Sequence, residues 1–328
     1  MNWKKLLKRI GNTTLILFVL LNVMAAFHAY KFTHFYDTKE KKDLFQVEKA
    51  GFLDKAGALL FGVKSYKKPI DKFPSFNYQV VQIKTDDELA LEAWNLTHPP
   101  VDSIAAKGTV IMFHGHAGNK AGILNEAESF FKLGYNILMV DFRAHGNSSG
   151  NICTIGFDEA KDVKAAYEYV QTGGEKNIIF YGISLGAAAE MKAVKEYNLK
   201  PAKMILEMPF GSLLEAVKGR CRIMGVPTQP ISTLLTFWGG VEQGFWAFDH
   251  NPEDYAKSID CPVLLQWGEK DIRVSKTETE TIFNNLKTSQ KKLVTYSKSG
   301  HQNLCTSEPE KWLSSVSNFL LSASSTHD

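Results

Sequence analysis

Between an apolar run at 177–181 and a small-residue stretch at 187–194, the chain carries Gly182-Ile183-Ser184-Leu185-Gly186. A buried strand that turns this sharply into a helix forces the residue at the tip into a strained backbone conformation. Side chains two positions before and two positions after the tip would collide, so both positions call for glycine. The strain lifts the Ser184 hydroxyl clear of the strand. The helix that starts behind it aims free N–H groups and the positive end of its dipole at the same spot. Ser184 is therefore a candidate nucleophile.

A serine hydroxyl attacks poorly at neutral pH, so it needs a base, and the base needs an acid to orient it. Residues 262–267 read as a buried strand that runs into Gly268-Glu269-Lys270-Asp271. A helical stretch at 276–286 and a short β-like run at 292–296 follow, and then Ser299-Gly300-His301. Asp271 and His301 each fall just past the carboxyl end of a strand, the edge where open parallel sheets place their sites. The order Ser184, Asp271, His301 is the one expected of an α/β-hydrolase triad. Glu207, at the end of the apolar run 203–206, is a rival for the acid; the tight turn after Gly268 favours Asp271.

An oxyanion needs backbone N–H donors set in place beforehand. One is the amide of Leu185, directly after the nucleophile. The other is expected from the loop His114-Gly115-His116-Ala117-Gly118-Asn119, which follows the apolar run 109–113. His116 is the favoured donor and Ala117 the alternative. His114 reads as a structural residue that bonds within the loop.

Strands and helices alternate through most of the chain. A hairpin is expected over 77–84 and 88–95, turning at Asp86-Asp87. Strands at 109–113, 135–141, 177–181 and 203–207 then precede or separate helices near 119–133, 156–171 and 185–197. That alternation predicts an α/β fold, a mostly parallel sheet with helices on both faces. Asp141 and Arg143 read as ties for the loop after the second of these strands. The alternation stops at about 209–259, where Pro227, Pro230, Phe237, Trp238, Phe245, Trp246 and Phe248 occur among few charges. A cap over the site is expected there, with Trp238, Phe245 and Trp246 lining an apolar substrate pocket. Packing of these rings against the core is the equal alternative, and membrane contact by the cap a third.

Five segments together resemble the α/β-hydrolase superfamily: FHGHAGN at 113–119, VDFRAHGNSSG at 140–150, GISLG at 182–186, WGEKDIRVS at 267–275 and SGHQNL at 299–304. Within it the chain looks most like serine hydrolases described as alpha/beta hydrolase domain-containing proteins, related to the dipeptidyl aminopeptidase/acylaminoacyl peptidase type. The resemblance runs from about Phe76 onward and implies Ser184 as nucleophile, His301 as base and Asp271 as acid. His116 departs from the pattern, since relatives commonly carry Asn or a hydrophobic residue there.

The N-terminus is of another kind. Lys4, Lys5, Lys8 and Arg9 precede an apolar segment at 13–27 that is interrupted only by Asn22. Basic residues ahead of such a segment read as an uncleaved signal anchor, with a cleaved signal peptide as the alternative. The positive end stays cytoplasmic and the rest of the chain is expected across the membrane; cleavage would instead make it secreted or periplasmic. The expected organisation is a signal segment at 1–30, an amphipathic connector at 31–72 and the α/β-hydrolase domain at 73–328. Leu44, Phe45 and Val47, then Phe52, Leu53, Ala56, Leu59, Leu60 and Val63, give the connector its helical spacing. At 328 residues and 44% hydrophobic content, one large core with an insertion is expected. A net charge of +3 without a basic, aromatic-interleaved stripe speaks against nucleic acid. Cys153, Cys221, Cys261 and Cys305 form no CxxC pair, so zinc is not indicated and free thiols are expected.

The expected chemistry is therefore hydrolysis of an acyl ester through an acyl-enzyme, with no metal or organic cofactor and a small-molecule or lipid substrate. A peptidase, thioesterase or lipase of the same fold is the alternative, and a non-catalytic binding protein is a weaker one. Haloalkane and epoxide hydrolysis are disfavoured, because they need a carboxylate in place of Ser184.

Overall fold

The computed structural model describes residues 3–37, 51–99 and 106–322. A two-residue parallel pair, β1 (Phe35–Tyr36) and β2 (Ser65–Tyr66), precedes the main sheet. That sheet holds β3 (Gln79–Lys84), β4 (Ala90–Leu96), β5 (Thr109–Phe113), β6 (Asn136–Val140), β7 (Ile178–Ile183), β8 (Lys203–Glu207), β9 (Val263–Gly268) and β10 (Lys291–Tyr296). Its spatial order is β10-β9-β8-β7-β5-β6-β4-β3. The hairpin β3–β4 pairs antiparallel, as does β4 with β6, and every other pairing is parallel. Strands β5, β8 and β9 are buried at every residue, as parallel strands covered on both faces must be.

The helices are α1 (Trp3–Thr33), α2 (Phe52–Phe61), α3 (Leu124–Lys132), α4 (Glu159–Thr172), α5 (Leu185–Tyr197), α6 (Leu213–Met224), α7 (Ile231–Gln243), α8 (Pro252–Tyr255), α9 (Lys276–Asn285), α10 (Leu304–Ser307) and α11 (Pro309–Leu321). Successive side chains of a strand point to opposite faces. On β7, Phe180 meets Tyr167 of α4 edge-on at 5.7 Å, whereas Tyr181 meets Phe130 of α3 at 5.3 Å and Trp312 of α11 at 6.3 Å. Helices therefore cover both faces. Helix α11 lies outside the elements expected from sequence, although Trp312, Val316, Phe319 and Leu320 bury one helical face. Between β8 and β9 the cap insertion consists of α6, α7, α8 and short 3₁₀ turns.

The side on which successive strands are added switches about β5: β6 lies to one side of it and β7 to the other, all three parallel. Such a switch point opens a crevice at the carboxyl ends of the two central strands, where ligands bind in open α/β sheets. The loop after β5 and the turn after β7 both end there.

Helix α1 is 31 residues long, about 46 Å at 1.5 Å per residue, which exceeds a hydrocarbon core of about 30 Å. Its two ends behave differently. An 18-residue window has mean hydropathy 1.9 and is only 6% buried, so the helix is long and apolar enough to cross a bilayer. Towards its C-terminus, Ala25, Ala29 and Thr33 are buried against the cap and the hydrolase core. Trp238 Nε1 donates to Asn22 Oδ1 at 3.1 Å, and Gln243 Nε2 donates to Thr33 Oγ1 at 3.3 Å. Backbone bonds continue the docking: Cys153 N–H to Thr33 O and Phe35 N–H to Asn151 O, both 2.8 Å. Of the expected connector helix, the part from Phe52 is α2, whereas Leu44, Phe45 and Val47 lie outside the described residues.

Candidate active site

Ser184 sits between β7 and α5 with φ 52° and ψ −108°, a conformation that costs a non-glycine residue about 1–3 kcal/mol. The surroundings enforce it. A Cβ on Gly182 would stand 2.6 Å from Ala187 N, and one on Gly186 would stand 2.5 Å from Phe113 O. The two glycines thus answer to different neighbours: Gly182 to the start of α5, Gly186 to the end of β5. Ser184 N–H donates to Glu207 O at 2.8 Å, tying the turn to the adjacent strand.

The structure brings Ser184, His301 and Asp271 into one hydrogen-bonded line. Ser184 Oγ lies 3.1 Å from His301 Nε2, and His301 Nδ1 lies 2.7 Å from Asp271 Oδ2. Asp271 Oδ1 accepts N–H bonds from Arg273 at 2.7 Å and Val274 at 2.9 Å. The carboxylate is shielded from solvent and can only accept, so Nδ1 carries the proton and Nε2 is left to accept from Ser184. Acid turn and base loop approach closely. Lys270 N–H donates to Ser299 O at 2.9 Å, and a Cβ on Gly268 would stand 2.5 Å from Gly300 O. Glycine at 268 is required by that approach.

Glu207 goes elsewhere. It is fully buried at the end of β8, where its Oε1 accepts from Trp312 Nε1 at 2.5 Å and Gln266 Nε2 at 3.2 Å. Burial pushes its carboxyl up from 4.5 to about 7. The folded protein then holds a proton that the unfolded chain releases. The stability this group contributes therefore declines as pH rises from 4.5 to about 7. Glu207→Gln is expected to keep hydrolysis within a few-fold of the parent and to remove this group's share of the decline in Tm with pH. Thermal unfolding and ester turnover across that window check both halves; a loss of about 10⁴ in kcat would make Glu207 the orienting acid instead.

The loop after β5 is held from behind by imidazoles. His114 Nε2 accepts from Phe142 N–H at 3.2 Å and its Nδ1 donates to Gly115 O at 2.8 Å. Burial pushes His114 down to about 4, so it stays neutral and structural. Ala117 N–H donates to His145 Nε2 at 3.1 Å. That bond engages the amide of Ala117, the alternative oxyanion donor. Leu185, first residue of α5, has no intrahelical acceptor for its own N–H. Gly115 runs beside the nucleophile: a Cβ there would lie 3.8 Å from Ser184 Cβ.

Ion pairs made by two buried cations fix the flanking loops. Lys120 Nζ binds Asp141 at 2.5 Å and Glu92 at 2.9 Å, while Arg143 binds Asp162 at 2.7 Å and Asp87 at 2.8 Å. Asp141 and Arg143 thus brace the loops and stay away from the reacting atoms.

The aromatic residues expected in the pocket separate. Phe245 lines a cavity of about 310 Å³ between α1, α6 and α7. Trp238 and Trp246 do not line it. Trp238 points to α1 through its bond to Asn22, and Trp246 is 56% exposed beside Phe248. The rotation of α7 that docks it on α1 turns Trp238 away, and Trp246 follows the Gly244 end of that helix. In their place stand rings that local patterning gave no reason to choose. Phe32 lines the cavity and stacks on His116 with centroids 4.9 Å apart, while Phe35, buried in the core, meets the same imidazole edge-on at 5.4 Å. His145 was available in the VDFRAHGNSSG segment, but its role depends on a loop far away in sequence. The four cysteines are free thiols, three of them buried.

Comparison with known proteins agrees with this architecture. Residues 104–233 match the Hydrolase_4 family (serine aminopeptidase, S33). The protein bem46 of Schizosaccharomyces pombe is 24% identical over 242 residues, 72% of this chain and 75% of that one. The lysophosphatidylserine lipase ABHD12 of Mus musculus is 25% identical over 189 residues, 52% of this chain but 43% of the lipase, so the chain spans less than half of that relative. Among solved structures, the Pyrococcus furiosus esterase Pf2001 superposes with a TM-score of 0.63 at 26% identity, covering 77% of this chain and 97% of the esterase. The chain belongs to the α/β-hydrolase superfamily, with an esterase/lipase-like version of its fold.

Proposed function

We propose that this protein is a membrane-anchored serine hydrolase that cleaves acyl esters. The observation that carries the reading is the unbroken line from Ser184 Oγ through His301 to a buried Asp271, beside a strained strand-to-helix turn. Ser184 Oγ attacks the ester carbonyl carbon as its proton passes to His301 Nε2. The oxyanion is held by the N–H groups of Leu185 and His116, and Asp271 stabilises the imidazolium. Collapse breaks the carbon–oxygen bond to the leaving alcohol, which takes the proton from Nε2. Water, deprotonated by the same nitrogen, then attacks the acyl-serine, releasing the acid and restoring Ser184.

An ester suits the surroundings better than a peptide. A free amino terminus is a cation and calls for a carboxylate, whereas the cavity that Phe32 links to His116 is lined by Lys31 and Arg220 and, among the described residues, by no Asp or Glu. The esterase and lipase relatives support the same choice, and the serine aminopeptidase family match is what keeps a peptide substrate in the test. Full-length protein is expected to turn over p-nitrophenyl butyrate and leave aminoacyl p-nitroanilides intact; the reverse preference would make it a peptidase, and no turnover of either a binding protein.

The N-terminal helix is read as a retained anchor, with the hydrolase domain on the non-cytoplasmic side. Its support is the docking of 22–35 into the cap and core. The intact mass of protein purified from membranes is expected to include the residues of α1; a mature N-terminus near Ala26 would exclude the anchor.

A further inference from the structure

The cavity of about 310 Å³ lies between α1, α2, α6 and α7, and its lining is largely hydrocarbon. Leu21, Met24, Ala25 and Ala29 of α1 face Leu235 and Gly239 of α7 across it. At that volume it sits at the small end of ligand cavities, about 300–1,000 Å³. Its inner end comes within one residue of His116 and of the start of α5. Phe32, part of the lining, stacks on His116 at 4.9 Å. Ile155, also part of the lining, precedes Gly156, where a Cβ would stand 3.4 Å from Leu185 O.

Its outer side adjoins the part of α1 that is fit to cross a bilayer. There Leu17, Phe18 and Leu20 are more than half exposed. Two elements flank the helix as it leaves the domain: α7 through Trp238 and Asn22, and the end of α2, where a Cβ on Gly62 would touch the Phe27 ring at 3.2 Å. Both present exposed apolar side chains, Leu60 and Phe61 from α2 and Val241 from α7, with Trp246 just beyond. Exposed apolar residues clustered round a membrane helix mark a surface that sits in the interface rather than in water.

We propose that this cavity binds the long hydrocarbon chain of the substrate's acyl group, and that the membrane helix is itself one wall of that site. The proposal rests on Ser184 being the acyl-transfer nucleophile. The substrate class it names is a long-chain fatty acyl ester that moves from the bilayer along α1, its carbonyl reaching Ser184 past Phe32. On this account the anchor and the specificity pocket are one element, so the helix does more than tether.

Gly239 gives a clean way to fill the cavity. A Cβ there meets nothing within 4 Å, and leucine is the better helix former. The comparison uses full-length protein in liposomes with acetyl, butyryl, octanoyl and hexadecanoyl p-nitrophenyl esters. Gly239→Leu is expected to lower the ratio of kcat/KM for the hexadecanoyl ester to that for the acetyl ester about tenfold or more. An unchanged ratio overturns the assignment. A second measurement needs no variant: a hexadecyl fluorophosphonate with a diazirine at the end of its chain is attached and then irradiated. Cross-links to peptides of α1, α6 or α7 support the site, and cross-links confined to other peptides or to lipid refute it. Failure of the probe to join Ser184 at all, with no ester turned over, defeats the nucleophile assignment itself and is seen before irradiation.

Discussion

Ser184→Ala is expected to lower kcat for ester hydrolysis by about 10⁶-fold, the scale seen when a serine nucleophile is removed from such a line of residues. The loss is chemical, not structural. Alanine accepts the same φ of 52° at no greater cost than serine, and the turn keeps its backbone bond to Glu207 O. The N–H groups of Leu185 and His116 remain, so a residual rate above that of water is expected from the oxyanion site alone. Thermal unfolding should hold within a few degrees of the parent. A variant that keeps more than a tenth of the parent kcat would show that another group attacks the ester.

Asp271→Asn should cost about 10⁴-fold in kcat while leaving KM and Tm nearly unchanged. The reason lies in the bonds around the carboxylate. Oδ1 accepts the N–H groups of Arg273 and Val274, so the asparagine amide must place its carbonyl oxygen there. Its NH₂ then faces His301 Nδ1. A donor at that position forces Nδ1 to accept and moves the ring proton to Nε2, pointing it at Ser184 Oγ. The base arrives already protonated. Steady-state kinetics at neutral pH checks this, and a loss smaller than tenfold would mean that Asp271 does not set the tautomer.

How far the site could be read from sequence follows from where each constraint is written. The turn at Ser184 is a local matter: strand, two glycines and helix stand side by side in the chain. The strand ends that deliver Asp271 and His301 are local as well, because apolar runs mark them. The choice between Asp271 and Glu207 is harder, since both follow buried strands; in the fold Glu207 is engaged by Trp312 and Gln266 while Asp271 meets His301, and Trp312 belongs to the unanticipated α11. Preference for His116 over Ala117 as donor likewise depends on His145, brought in by tertiary packing.

The cap shows the other limit. Composition announces an apolar, aromatic insertion, but which ring faces the cavity depends on how α7 is turned. Docking on α1 fixes that turn, and α1 reads by itself as a membrane segment with no place in the domain. Phe32 and Phe35 meet His116 only because Thr33 and Phe35 are pinned to residues 151–153 of a distant loop. A helix long and apolar enough to cross a bilayer that also docks on the domain carries one apolar signal for both, and periodicity cannot divide it.

The most direct test of the account is the site of covalent capture. Full-length protein treated with a fluorophosphonate and digested should yield a single modified peptide, with the adduct on Ser184, and the His301→Ala variant should react far more slowly. An adduct on any other residue, or none on protein that still hydrolyses esters, would contradict it.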